Sequence, residues 1–372
     1  MQQRRLLFIC NSASWGGLEI NTLKFATWLQ EGGYMVNVAV NQDFKLSEEA
    51  QKSGLATVHY PAKSHYKGWK GSSALVGHLK QHPTDLVILS LNQHLALPAI
   101  CKLQGAKATF CYLQQMEIGI PKRDLYHTLI YRQLDFWIAP LKVLAEQVQA
   151  QTNFAAEKII QIPLCIDTEV FSQHPLSQTE ARAQLSLPQN DFLFGMIGRF
   201  DPHKGHEYFL RALHQLKQAG FEGKALMVGI KPGEQESAYG QSIHSLIVEL
   251  DLADSVLFRP FSNEVATAFK ALDVFVMPSP AETFGMVTVE AMATGVPVVG
   301  FAALGTKELL QDGKLGLLAP PKDALSLSKQ MHQLWKDAGL RKKLAAQGKK
   351  HAQENFSKAS FLEGVEQILS TV

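Results

Sequence analysis

The stretch VFVMPSPAETFGMVTVEAMA, residues 274–293, passes from a strand to a helix through a polar loop. Four consecutive apolar residues, Val274 to Met277, suit a strand buried on both faces. Pro278-Ser279-Pro280 stops it, because proline cannot donate to a strand ladder. Apolar residues return at helical spacing from Met286, and Gly295 supplies the stop. Glu282 therefore falls in the strand-to-helix loop, beside the free N–H groups of Phe284, Gly285 and Met286. Such a loop favours a polar or anionic ligand.

The same alternation extends in both directions. Short apolar runs recur at 192–197, 225–229, 256–258, 296–300 and 316–318. In the first half they stand at 6–10, 36–40, 86–89, 108–112 and 136–139, and Leu18 opens a helical pattern that Gly32-Gly33 ends. Strands alternating with helices imply parallel sheets covered on both faces, here two doubly wound α/β halves. The Ser, Gln, Pro and His texture between Val170 and Asp191 marks a linker. The expected domains are 1–172 and 185–354, with an apolar segment at about 355–372. Ligands of such sheets bind beyond the carboxyl ends of the strands, so a cleft between the halves is expected.

The 372 residues are 46% hydrophobic and 19% charged, enough for two cores and incompatible with a disordered or collagenous chain. A net charge of +2 argues against a nucleic-acid partner. The charge divides as +3 over residues 1–170 and −1 over 171–372. Residues 50–84 hold Lys52, Lys63, Lys67, Lys70 and Lys80, with Tyr60, Tyr66 and Trp69 between them and no acid at all. This stretch is either an anionic-membrane surface or a solvated loop. Cys10, Cys101, Cys111 and Cys165 form no C-x-x-C pair and read as buried free thiols. No apolar run reaches the length of a spanning helix, and residues 1–10 are too short for a signal peptide. A cytoplasmic protein, peripheral on a membrane if 50–84 docks there, is the expectation.

A second polar cluster is Gly198-Arg199-Phe200-Asp201-Pro202-His203-Lys204-Gly205. Two cations in one strand-end loop flanked by glycine suit a diphosphate, Arg199 as a planar fork and Lys204 as a point charge. Taken alone, such a spacing is most often a solvated loop. Gly16 and Gly17 follow the first strand and open a helix, letting a ligand reach its N-terminus. Glu282 and Glu290 suit hydroxyl groups as acceptors. Glycosidase carboxylates stand ~5–9.5 Å apart across one bond; a helix starting near Phe284 puts Glu290 roughly 9 Å of rise further on. The pair is read as holding two parts of an extended ligand, against the plainer reading of two surface glutamates. There is no G-x-G-x-x-G, Walker A or G-x-S-x-G sequence and no metal-spaced histidine set.

Together these residues resemble the retaining glycosyltransferases of family four. The resemblance rests on Gly16-Gly17, on Asp135 to Ala139, on Ile166-Asp167 and Phe171, and on Gly198-Arg199 with Lys204-Gly205. In the C-terminal half it rests on Pro278-Ser279, Glu282, Phe284-Gly285, Glu290 to Ala293, Gly305 and Glu308. It implies the GT-B fold: two facing Rossmann-like, doubly wound domains with an interdomain cleft, the last helix crossing back onto the first domain. It also implies a nucleotide-sugar donor, with a glycan or lipid-linked acceptor of the kind found in cell-surface polysaccharide, lipopolysaccharide or glycolipid synthesis. By the same resemblance Arg199, Lys204 and Glu282 carry catalysis. Phe284, Gly285, Met286, Val287 and Glu290, with Gly16 and Gly17, bind the donor. No cofactor and no metal are expected, the two cations taking a metal's place. A UDP-sugar is expected by frequency alone. The family often has a histidine after the strand ending at Tyr112; here Gln114 and Gln115 follow, and they become candidates for the acceptor or sugar side. A GT-B epimerase or hydrolase, or a silent nucleotide-sugar-binding protein, are the alternatives.

Overall fold

The computed structural model describes residues 3–61, 72–230, 237–260 and 264–371. The chain forms two compact units, residues 1–164 with 358–372, and residues 165–357.

Among the described residues of the first unit seven strands pair in parallel: β1 (Arg5–Ile9), β2 (Met35–Val40), β3 (Ala56–His59), β4 (Leu86–Leu89), β5 (Thr109–Leu113), β6 (Phe136–Ala139) and β7 (Ile159–Gln161). Their order is β3-β2-β1-β4-β5-β6-β7. Phe8 in β1 stands opposite Val38 in β2 and Ile88 in β4. Leu6 to Ile9 and the whole of β4 are buried, as central strands with helices on both faces must be. β3 and β7, which the hydrophobic pattern does not reveal, are the two edges. Their residues are half-buried or exposed, so selection for continuous apolar runs is weak there. The helix Lys358–Leu369 lies against the helix Gly17–Glu31, where Phe361 stacks on Phe25 with centroids 4.2 Å apart. Gly364 lets the same helix approach Ile162, from which a Cβ there would stand 2.7 Å.

Among the described residues the second unit has six parallel strands in the order β10-β9-β8-β11-β12-β13. They are β8 (Leu193–Ile197), β9 (Lys224–Ile230), β10 (Val256–Pro260), β11 (Val274–Met277), β12 (Val298–Phe301) and β13 (Leu317–Ala319). In both sheets the strand order reverses beside the first strand, between β1 and β4 and between β8 and β11. Doubly wound sheets bind ligands at such switch points, beyond the strands' carboxyl ends. The polar stretch expected as a linker is instead folded into this unit, with helices at Thr168–Ser172 and Gln178–Gln184. The reason is one buried arginine. Arg182 donates to the carbonyls of Ala271 (3.0 Å) and Gln189 (2.8 Å) and to the Asp273 carboxylate (2.8 Å), which also accepts the Leu193 N–H.

All four cysteines are buried and free. Among the described residues no helix is long and apolar enough to cross a membrane. Lys63, Tyr66, Lys67, Trp69 and Lys70, the middle of the basic stretch, lie outside the described residues. At its flanks Lys52 pairs with Glu48 and Glu49, and Tyr60 sits in the core with its phenol pushed up to about 12 by burial.

Candidate active site

In the second unit the loops after β8 and β11 meet backbone to backbone. Gly205 is left-handed (φ 78°), and a Cβ there would lie 2.0 Å from the Pro278 carbonyl oxygen. Only glycine fits, on both conformational and steric grounds. Ser279 Oγ donates to the His203 carbonyl at 2.7 Å, tying the loops together again. Gly229 (φ 120°) closes the floor from β9, its Cβ position 2.2 Å from the Gly198 oxygen. Asp201 accepts the His203 N–H at 2.9 Å and shapes the turn that presents Lys204.

Lys204 Nζ donates to Glu282 Oε2 at 2.9 Å. This ion pair joins the two sequence clusters in space across 78 residues of chain. Its side chains are 29% and 14% exposed, so the charges face each other at the surface's edge rather than in bulk water. Arg199 is exposed and, among the described residues, makes no side-chain hydrogen bond or ion pair. The Glu282 carbonyl accepts the Gly305 N–H at 2.9 Å, and Gly305 lets its loop close to within 2.3 Å of the Phe284 oxygen at its Cβ position. Phe284 is buried. Gly285, at φ 98°, turns the chain into the helix Met286–Thr294. Thr288 and Val289 both donate back to the Gly285 carbonyl, so the N–H groups of Met286 and Val287 precede the first acceptor of the helix.

Glu290 stands four residues into that helix, about 6 Å along its axis. It lines a cavity of about 540 Å³ with Phe171, His174, Glu264, Val265 and Thr267. Arg199, Lys204 and Glu282 do not line this cavity. The structure thus unites Lys204 with Glu282 and places Glu290 further along the same helix, in a pocket of its own. His174, absent from the sequence reading, reaches Thr267 Oγ1 at 3.2 Å there; a lone histidine in a polar stretch gave no signal for it.

In the first unit Gly16 and Gly17 stand where β1 hands over to the helix Gly17–Glu31. Buried Glu19 turns back to accept the Gly16 N–H at 2.9 Å. A Cβ at Gly17 would meet nothing within 4 Å. Gln114 is fully buried, its amide oxygen accepting from Trp137 Nε1 (3.0 Å) and its nitrogen donating to the Met116 carbonyl (3.0 Å). Gln115 accepts from Asn21 Nδ2 at 3.2 Å, while its own amide nitrogen is buried with no partner among the described residues. Asn21, four residues past Gly17 on one helix, is a contact that sequence spacing could not bring to Gln115. His94, beyond β4, is buried, and burial pushes its imidazole down to about 4.

Two parallel doubly wound units of this kind constitute the GT-B architecture, and solved structures share it across the whole chain. A glycosyltransferase from Rickettsia africae superposes with a TM-score of 0.89 at 18% identity, over 100% of this chain and 99% of that one. HepE of Anabaena in complex with UDP gives 0.85 at 22% identity, over 99% and 100%. Residues 177–351 match the family model of glycosyl transferases, group 1. The D-inositol 3-phosphate glycosyltransferase of Stackebrandtia nassauensis is 35% identical over 201 residues, which are 53% of this chain and 45% of that relative. The match thus spans about half the length of the curated relatives. The fold is thus of GT-B type, and residues 177–351 are similar to the glycosyl transferases of group 1.

Proposed function

We propose that the protein is a retaining glycosyltransferase that moves a sugar from a nucleotide-diphosphate donor to a glycan or lipid-linked acceptor. The observation that carries this reading is the Lys204–Glu282 pair at the switch point of the second sheet, beside the N-terminus of the helix Met286–Thr294. A diphosphate entering there exchanges places with the Glu282 carboxylate at Lys204. Arg199 supplies a second cation, and the helix N–H groups supply donors. Glu282, released from Lys204, accepts from sugar hydroxyls, and Glu290 from the ribose.

Transfer breaks the bond between the anomeric carbon and the diphosphate oxygen and forms one to the acceptor oxygen on the same face. The acceptor proton passes to the departing diphosphate. Negative charge grows on that diphosphate as the bond breaks, so Lys204 and Arg199 stabilise the transition state more than the bound donor. These two cations do the work of a metal, and transfer is expected to proceed unchanged in EDTA; loss of turnover on chelation, restored by a divalent ion, would contradict that part of the reading. HepE was solved with UDP and with UDP-glucose, which makes UDP-sugars the first donors to test. A thermal-shift series with UDP-, GDP- and ADP-sugars checks the proposal, because a ligand that binds only the folded chain raises its apparent stability. One of the three is expected to raise the midpoint; a flat response to all would contradict it. The anomeric configuration of the product, read by NMR, tests retention.

A further inference from the structure

We infer that residues 116–132 of the first unit form a surface that docks on an anionic lipid bilayer. Met116, Ile120, Leu125, Tyr126 and Leu129 are between 49% and 75% exposed, a dense group of large apolar side chains turned to solvent within fourteen residues. The helix Leu125–Tyr131 is inverted relative to an ordinary surface helix. Leu125 and Leu129, one turn apart, point outward, while His127 and Thr128 are half-buried and Tyr131 packs on Trp137.

The exposure does not come from a loose loop. Asp124 caps the helix through the His127 N–H at 3.1 Å and holds the His127 ring at 2.5 Å. Asn153 Nδ2 binds both Thr128 Oγ1 (2.9 Å) and the Arg123 carbonyl (3.0 Å), and Lys122 N–H donates to the Gln151 carbonyl at 2.7 Å. A well-anchored segment that shows its apolar side to water has a partner for that side.

Charge identifies the partner. Lys122, Arg123 and Arg132 are interleaved with the apolar residues against Glu117 and Asp124, and Asp124 is occupied in capping. Apolar chains with cations and a tyrosine among them suit the headgroup boundary of an anionic membrane. A two-fold dimer through this surface would bring two net-positive patches together, which disfavours self-association. A cavity of about 330 Å³, floored by Tyr112, Tyr131 and Trp137, opens between Met116, Ile120 and Lys122. On the function proposed above, it lies where a lipid-borne acceptor would be presented. The docking itself does not depend on that reading.

The test is co-sedimentation of the whole protein with phosphatidylcholine vesicles, with and without phosphatidylglycerol, at low and high salt. The unaltered protein is expected to bind the anionic vesicles and to weaken as salt rises. The Leu125→Glu/Leu129→Glu variant is expected to keep its melting temperature and its response to nucleotide, and to lose at least tenfold in vesicle partitioning. No binding of the unaltered protein, or equal binding of the variant, overturns the inference. So does binding abolished only by Lys63→Glu/Lys67→Glu/Lys70→Glu. A concentration-dependent dimer in sedimentation velocity that the leucine variant dissolves would assign the surface to a second copy instead. None of these failures touches the donor site, whose nucleotide response is measured separately.

Discussion

Lys204 and Glu282 are 78 positions apart in sequence, and each alone is an ordinary charged residue in a loop. What made them legible was their context: glycines at 198, 205 and 285 that have no local reason to be there, and prolines that stop the strand before Glu282. The structure supplies the reasons for two of them, the 2.0 Å approach at Gly205 and the left-handed turn at Gly285. Lys204→Ala and Glu282→Ala are therefore expected to fold normally and to lose transfer, the lysine variant by about 10²–10³-fold in kcat, the usual effect of removing one charged donor aimed at a developing anion. Steady-state assays with the donor found by thermal shift check this. Gly17 poses the opposite question, because neither its backbone nor its surroundings require glycine. Gly17→Ala is expected to leave the melting temperature unchanged or slightly raised and to weaken ligand binding; unaltered affinity for donor and acceptor would remove Gly17 from the site. Two histidines set a pH limit. Burial holds His94 and His206 near 4 in the folded chain, opposed at His206 by Asp201, whereas the unfolded chain binds protons near 6.5. The unfolded state takes up more protons between these values, so stability is full above about pH 6.5, falls as pH drops toward 4 and levels off below. Each contributes roughly 3 kcal/mol to that loss, read from urea unfolding across pH, and His94→Asn should reduce the slope.

Among the elements, the central strands were readable because burial on both faces demands continuous apolar runs. The edges β3 and β7 were not, because half-buried strands such as Ala-Thr-Val-His at 56–59 carry no such demand. The segment 170–191 misled for a related reason. Its composition is that of a linker, yet Arg182 satisfies three backbone and side-chain groups at once and fixes it to β8 and β11. Periodicity has no means of reporting a buried ion pair. Arg182→Ala leaves Asp273 partly buried and uncompensated, and is expected to cost about 3–5 kcal/mol by urea denaturation. Arg182→Met, which restores volume without charge, keeps the same carboxylate unpaired and should recover little. Gln114 shows the limit at the level of a strand end. The sequence offered it as a candidate for the acceptor or sugar side; in the structure its amide oxygen ties the end of β5 to Trp137 in β6, and its nitrogen holds the Met116 carbonyl of its own loop.

For the molecule as a whole, composition and alternation carried the reading as far as two doubly wound units, and motif order carried it to a resemblance that the family match over residues 177–351 shares. The likeness to solved structures is a likeness of fold, held at 18% and 22% identity because parallel sheets with reversed order can be built from many apolar sequences. The similarity in sequence, by contrast, concentrates in residues 177–351, the part that contains Arg199, Lys204, Glu282 and Glu290. The first unit carries Gln114 and Gln115 beyond β5 and an outward-facing apolar helix at Leu125–Tyr131. Its charge is also misleading when summed, since the +2 of the whole chain conceals the acid-free stretch 50–84 and the cations around that helix.

The most direct test of the central claim, that Lys204 grips a nucleoside diphosphate without a metal, is calorimetric titration of UDP, GDP and ADP into the chain and its Lys204→Ala variant in EDTA. At least one nucleotide is expected to bind the unaltered protein, and to bind the variant at least tenfold more weakly at an unchanged melting temperature. Equal affinity in the two proteins, or no binding of any of the three until a divalent cation is added, would contradict it.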